Sequence, residues 1–300
     1  MAGLRLCKHI MSRLAVTVLT ALLLPACSAI KIAYNQGPDL AFWYLDAYVD
    51  FNDAQSLQVK AELNRLQTWH RQTQLPGYID SLQKLQQQLP LDLSASQACG
   101  VYTDARQKLL AVTTEAQPAA AALASSLSIR QIASIERKFD KGNAEYREEF
   151  MEGPPKTRRE RRYKKAVNRA EMLYGPLDER QLAVIEQGIA QSRFDAARSY
   201  SERVRRQQDA LQTLRGLAAG GTGVASSAEK ARTSMRLLLE RSIESPDPAY
   251  RAYQETLIQD TCRGFAELHN STSAVQRAKA SKVLGAYKRD LTDLRAALLP

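Results

Sequence analysis

A four-residue signature recurs through this chain and constrains its fold more than any other feature. Ser94 stands three residues before Gln97, Ser128 before Gln131, Asp178 before Gln181 and Ser273 before Gln276. In that register a hydroxyl or carboxylate accepts a hydrogen bond from an orphan N–H of a helix's first turn. The glutamine reaches back to the capping residue's own N–H. Three of these starts directly follow leucine, at Leu93, Leu127 and Leu177, so four helices announce their first turns. Alternating β-branched runs flanked by hairpin dipeptides, the mark of strands, do not occur. Pro90, Gly153-Pro154-Pro155, Gly175-Pro176, the Gly220-Gly221-Thr222-Gly223 stretch and Pro246-Asp247-Pro248 punctuate the chain. Helical spacing between these breaks predicts helices over 39–50, 53–74, 76–88, 94–116, 118–126, 128–151, 155–174, 178–191, 195–218, 226–244, 248–269 and 273–298. Aromatics are only 7% of the 300 residues, and the dominant Ala, Leu, Gln, Arg and Glu lose little side-chain freedom in a helix. The expected fold class is all-α, an irregular multi-helix bundle of about ten to twelve helices. No repeat of the solenoid kind is evident.

The first residues read as an address. Arg5, Lys8 and Arg13 make a cationic start without an acid, and the run from Leu14 to Leu24 is apolar, the layout of a secretory signal. Such a run is too short for a bilayer core, which needs roughly 20 apolar residues as helix. It ends at Leu24-Pro25-Ala26-Cys27, which resembles a bacterial lipobox. The Cys27 thiol is then the nucleophile that takes a lipid as thioether, and each buried CH₂ contributes about 0.8 kcal/mol to anchoring. An ordinary signal peptide or an uncleaved anchor are the competing readings. The expected organisation is a lipoprotein signal peptide over 1–26, a lipidated tether over 27–38 and a single helical periplasmic domain over 39–300. Ser28 rather than Asp after the cysteine matches the sorting pattern of Gram-negative lipoproteins bound for the outer membrane. The body would then be lipid-anchored on its periplasmic face.

Compartment decides how the remaining cysteines and charges are read. Cys7 leaves with the signal and Cys27 is lipidated, so Cys99 and Cys262 are an even pair in an oxidising space and are expected to bridge. Two buried thiols are the alternative. Removing residues 1–26 lowers the net charge from +10 to +7. Nucleic acid is not expected as a partner of an exported chain. Anionic lipid, lipopolysaccharide and cell-wall polymer are the polyanions within reach, and plain solubility also accounts for the charge.

Two segments stand out from a solvated helical background. Arg158, Arg162, Lys165 and Arg169 are spaced 4, 3 and 4 apart and form one stripe, while Tyr163, Ala166, Val167, Ala170 and Tyr174 line the opposite side. The stripe is a candidate polyanion-binding surface. The bland reading pairs these cations with Glu145, Glu148, Glu149 and Glu152, brought back by a turn at Gly153-Pro154-Pro155. The second segment, Phe42 to Phe51, is apolar almost all round a helix and is expected to be buried, contact of its Trp and Tyr side chains with lipid near the Cys27 anchor being the alternative.

Catalytic constellations are missing from the sequence. His70 and His269 have no Cys or paired carboxylate at ligand spacing, and nucleophile-elbow, HExxH, dinucleotide and phosphate-loop patterns are absent. Asp46 and Asp50 share a helical face, as solvated acids routinely do. Neither an enzyme, a metal nor a cofactor is expected.

Tyr34-Asn35, Trp43-Tyr44-Leu45-Asp46, Tyr48-Val49-Asp50, Trp69-His70-Arg71, Leu75-Pro76, Tyr146-Arg147-Glu148-Glu149, Asp247-Pro248-Ala249-Tyr250 and His269-Asn270-Ser271-Thr272 occur in that order. Together they resemble a proteobacterial family of uncharacterised lipoproteins, a domain of unknown function. The resemblance implies an exported, lipid-anchored, helical protein and carries no catalytic residue. The expected function is a non-catalytic envelope scaffold or accessory binding factor, attached to the membrane through its N-terminal lipid and to an unknown envelope protein partner. The alternative is a polyanion-binding envelope protein using the basic helix over 156–169.

Overall fold

The computed structural model describes residues 27–218 and 224–297. Residues 1–26, where the signal is expected, and the Gly220-Gly221-Thr222-Gly223 stretch lie outside the described residues. Within them the order is α1 (Cys27–Asn35), α2 (Gly37–Val49), α3 (Asp53–Trp69), a π-helical turn (His70–Gln74), α4 (Leu75–Gln88), α5 (Ala95–Ser126) and α6 (Ile129–Phe150). Then follow α7 (Pro155–Tyr174), α8 (Glu179–Gln191), α9 (Ala196–Ala218), α10 (Val224–Ile243), α11 (Pro248–Ser271) and α12 (Ala274–Ala296). The described residues form an all-α multi-helix bundle without a strand.

All four anticipated capping boxes form, and a fifth, Asn52 with Gln55, opens α3. Four of the five interlock in pairs. Gln55 and Gln131 exchange hydrogen bonds between their amides; Gln55 Nε2 also donates to the carbonyl of Ser126, and Gln131 Nε2 to that of Asp50. Gln181 and Gln276 repeat the arrangement, donating to each other and to the carbonyls of Ser271 and Pro176. In both pairs each glutamine caps its own helix and ties down the carbonyl two residues before the other helix's cap. Gln55, Gln131 and Gln181 are thereby buried with their amide groups satisfied.

Three expectations need correction. The break expected before Pro118 does not exist, because α5 runs unbroken from Ala95 to Ser126 with Pro118 inside it. Proline removes the hydrogen bond to the carbonyl four residues back. That carbonyl belongs to Thr114, which like Pro118 lies on the exposed side, where water can replace the missing donor. The expected tether over 27–38 is instead helical: α1 packs against α12, and Lys31 reaches Asp293 at 2.7 Å and the buried Asp290 at 3.8 Å. The helix expected over 53–74 gives way at His70 to a π turn, in which the N–H of Leu75 bonds the carbonyl of His70. The wider turn lets the chain pass into α4 just ahead of Pro76, which has no N–H to give.

Apolar burial is divided among four clusters. Ala121 and Ala124 of α5 meet Leu217 of α9 and Ala231, Met235 and Leu238 of α10. Val49, Leu127, Ile132, Ile135 and Leu211 form a second cluster, and Leu214 packs against both. Leu89, Tyr174 and Ala280 form a third and Ala170, Ile185 and Leu268 a fourth, with Leu177 packed against both. The long helix α5, about 48 Å at 1.5 Å per residue, packs along α10, α9 and α3, and also against α11. Near its N-terminus the sulfurs of Cys99 and Cys262 stand at disulfide-bonding distance, 2.08 Å, joining α5 to α11.

Candidate functional site

The turn at Gly153-Pro154-Pro155 folds α7 back along the end of α6. Gly153 takes φ +80°, a left-handed conformation open to glycine, and Pro155 starts α7 where a missing N–H costs nothing. The carbonyls left unpaired at the end of α6 are met by guanidinium groups from α7. Arg158 donates to the carbonyls of Met151 and Gly153, and Arg161 to those of Glu148 and Glu149. Cations there also complement the negative end of the helix dipole. The intramolecular pairing weighed from the sequence is therefore present in part. Lys165 pairs with Glu149 and lies over the Phe150 ring, and Arg158 and Arg161 bond backbone rather than carboxylates.

This arrangement breaks up the expected stripe. Arg158 and Arg162 turn toward an open cleft of about 510 Å³ between the end of α6, the start of α7 and the link from α8 to α9. Lys165 and Arg169 are not among its lining residues. Arg159, which the stripe omitted, joins them there, with Phe150, Ile189 and Phe194 as the apolar part of the wall. On the other side of α7, Tyr163, Ala166, Val167 and Ala170 pack into the fourth cluster, which fixes the direction the arginines face.

Arg162 is the central group of the cleft. Its guanidinium lies 4.8 Å from the centre of the Phe194 ring, a cation–π contact. Among the described residues neither Arg159 nor Arg162 forms an ion pair. Burial, with a smaller push from Arg159, lowers the pKa of Arg162 below its ordinary value. The acid lining the cleft is Asp195, and its Oδ1 accepts from the backbone N–H groups of Ala197 and Arg198 at the start of α9. Three arginines against one engaged carboxylate leave a cationic recess with an aromatic wall. Such a recess suits an anionic group, since guanidinium donors bind phosphate and carboxylate oxygens strongly. Phe194 comes from a distant part of the chain, so no local pattern could have assigned it; the i, i+3 spacing of Arg159 and Arg162 was the legible signal.

The two histidines lie elsewhere and have structural partners. His269 is fully buried; its Nε2 donates to the carbonyl of Leu91 at 2.8 Å, so Nδ1 accepts from the Tyr174 hydroxyl at 2.9 Å. Its neighbour Asn270 donates to the carbonyl of Leu93 and accepts the N–H of the same residue. A second lock of this kind holds α1: the Tyr34 hydroxyl stands 2.9 Å from Nδ1 of His70, and Arg71 donates to Asn35 at 2.7 Å. Among the described residues no group of three His, Cys, Asp or Glu side chains is placed to hold a metal ion. No helix among them is long and apolar enough to cross a membrane.

Together these features describe an all-helical protein with an arginine-rich recess on a scaffold of locked helix ends. The chain belongs to DUF6279, a family of unknown function, which matches residues 47–222. That span contains α7 and the residues lining the recess, whereas Tyr34-Asn35 and His269-Asn270-Ser271-Thr272 lie outside it. No curated protein and no solved structure matches the chain.

Proposed function

We propose that this chain is a non-catalytic binding protein, anchored through a lipid on Cys27 to the periplasmic face of the outer membrane, that takes an anionic group of an envelope polymer or lipid in the arginine cleft. One observation carries the reading: Arg162, half-buried on Phe194 beside Arg159, forms no ion pair among the described residues. A cation partly withdrawn from water without a counter-charge is costly, and an incoming anion offsets that cost. The lipobox-like Leu24-Pro25-Ala26-Cys27 supports the address, and the apolar run before it supports export.

The acylated protein in neutral detergent, titrated with purified lipopolysaccharide and sedimented with wall sacculi, tests the cleft. Binding is expected at low ionic strength and to weaken with added salt. Arg159→Gln with Arg162→Gln should weaken it about a hundredfold or more, since each charged hydrogen bond contributes about 1.5–3 kcal/mol. Lys165→Gln with Arg169→Gln, outside the cleft, should leave it nearly unchanged. Equal loss from both pairs would return the site to a diffuse basic helix, and no loss from either would remove it.

A scaffold for an envelope protein partner is the second reading. It is favoured by an apolar groove of about 370 Å³ beside the Cys99–Cys262 pair, lined by Tyr102, Leu257, Ile258 and Phe265 among others. Crosslinking from Tyr102 in intact cells distinguishes it, through capture of one defined protein that is lost on Phe265→Ser.

A further inference from the structure

The segment from Phe42 to Phe51, expected to be buried, is half open to solvent. Trp43 is 71% exposed, Tyr44 57% and Leu40 52%, and Ile32 of α1 is 55% exposed. Helices α1 and α2 are separated only by Gln36, whose N–H bonds the carbonyl of Ile32 and whose own carbonyl accepts from Leu40. Across the two helices Ala29, Ile32, Gln36, Leu40, Trp43 and Ala47 follow one another at spacings of three and four, and all are exposed. This row contains no charge. Its first turn starts at Cys27.

We propose that this face lies flat on the bilayer surface and sets the orientation of the anchored body. The inference rests on the reading that Cys27 is acylated, and adds where the body rests once the lipid is inserted. Helix α1 is not free to swing. Lys31 is held by Asp293, Tyr34 by His70 and Asn35 by Arg71, and Gln67 donates to the Tyr34 carbonyl. The acyl chains therefore enter the membrane at the start of a helix that is fixed to the rest of the molecule. Trp43 is about sixteen residues, or roughly 24 Å of helix, beyond that point. Standing upright, α1 and α2 would carry the aromatic residues away from the lipid. Lying flat, they place Trp43 and Tyr44 at headgroup depth, where amphipathic rings are favoured, and Ile32 and Leu40 at the acyl boundary. The row has no cation and only the exposed Asp39 at its edge, so it docks without help from anionic lipid and the contact persists at high salt, unlike binding in the arginine cleft.

The chain has two tryptophans, Trp43 and Trp69, so Trp69→Phe leaves Trp43 as the reporter. The acylated protein is reconstituted into phosphatidylcholine vesicles with and without bromine high on the acyl chains. Quenching of most of the Trp43 emission, with a blue shift that persists at high salt, is expected. Leu40→Ser with Ile32→Ser should reduce it. Should Trp69→Phe fail to fold, the emission lost between the wild type and Trp43→Phe gives the same reading. Protein that floats with the vesicles and carries acyl mass, yet shows unquenched Trp43, overturns the docking while the anchor stands. A blue shift that depends on protein concentration, without quenching, overturns it in favour of a second copy of the chain. Absence of acyl mass on Cys27 overturns anchor and docking together.

Discussion

His269 sits without exposed surface between the chain before α5 and the end of α7, with both ring nitrogens engaged. Burial lowers its pKa below the ordinary 6.5, against a smaller opposing effect of the Leu91 carbonyl. A proton on Nδ1 would oppose the Tyr174 hydroxyl, whose own pKa burial pushes up to about 12. Burial lowers His70 as well. In the unfolded chain both titrate near 6.5, so below that pH the unfolded state holds more protons and stability falls on acidification. For each histidine this slope is bounded by about 1.4 kcal/mol per pH unit and is confined to the window between 6.5 and the lower native pKa. Carboxylates take over only further down. Lys108 holds Asp104 and Arg193 holds Asp260 below the ordinary 3.8. For Glu202 burial acts upward but is outweighed by Arg205 and Arg206, leaving it below 4.5. Urea denaturation between pH 7.5 and 5.0 should therefore show a declining midpoint, shallower in His269→Gln; a flat profile in the wild type would contradict the neutral, buried assignment. None of this was visible in the sequence. The two histidines could be excluded from metal spacing, but burial depends on helices far apart in the chain.

At the scale of the helix, capping carries both the legible and the illegible part of the fold. The spacing of cap and glutamine is local, so the starts at Ser94, Ser128, Asp178 and Ser273 could be read directly. Which boxes meet is a tertiary matter. Gln97 is exposed and serves its own helix, whereas Gln181 is buried and also serves Gln276 and the Ser271 carbonyl. Gln97→Ala should cost about 1 kcal/mol or less, as a simple cap does. Gln181→Ala should cost about 2–3 kcal/mol, because it removes the cap and also the hydrogen bonds to the half-buried Ser271 carbonyl and Gln276 amide. Equal losses in thermal or urea unfolding would show that the interlocking adds nothing. The same contrast explains Pro118: as a local signal it predicts a break, and only the exposure of Thr114 and Pro118 shows why α5 continues.

The whole molecule spreads its apolar burial over separate clusters, many of whose members are alanines, so links between distant elements matter for its stability. A bond between Cys99 and Cys262 spans 163 residues of sequence. Closing so long a loop restricts the unfolded chain and typically contributes about 2–4 kcal/mol. Cys99→Ala with Cys262→Ala should lower the unfolding free energy by that order, and reduction of the wild type should shift its gel mobility. Unchanged stability in the variant, with free thiols titrated in the wild type, would remove the bridge. The sequence by itself determined the helical class, most helix starts and the packing side of α7, because caps and apolar spacing act within a few residues. It also marked Cys27 as the candidate acceptor of a lipid. Only the tertiary structure decided that the stripe on α7 divides into a cleft pair, Arg158 and Arg162, and two outlying cations, and that Trp43 faces outward. Those outcomes depend on which surfaces other helices cover, and helical spacing describes one helix at a time.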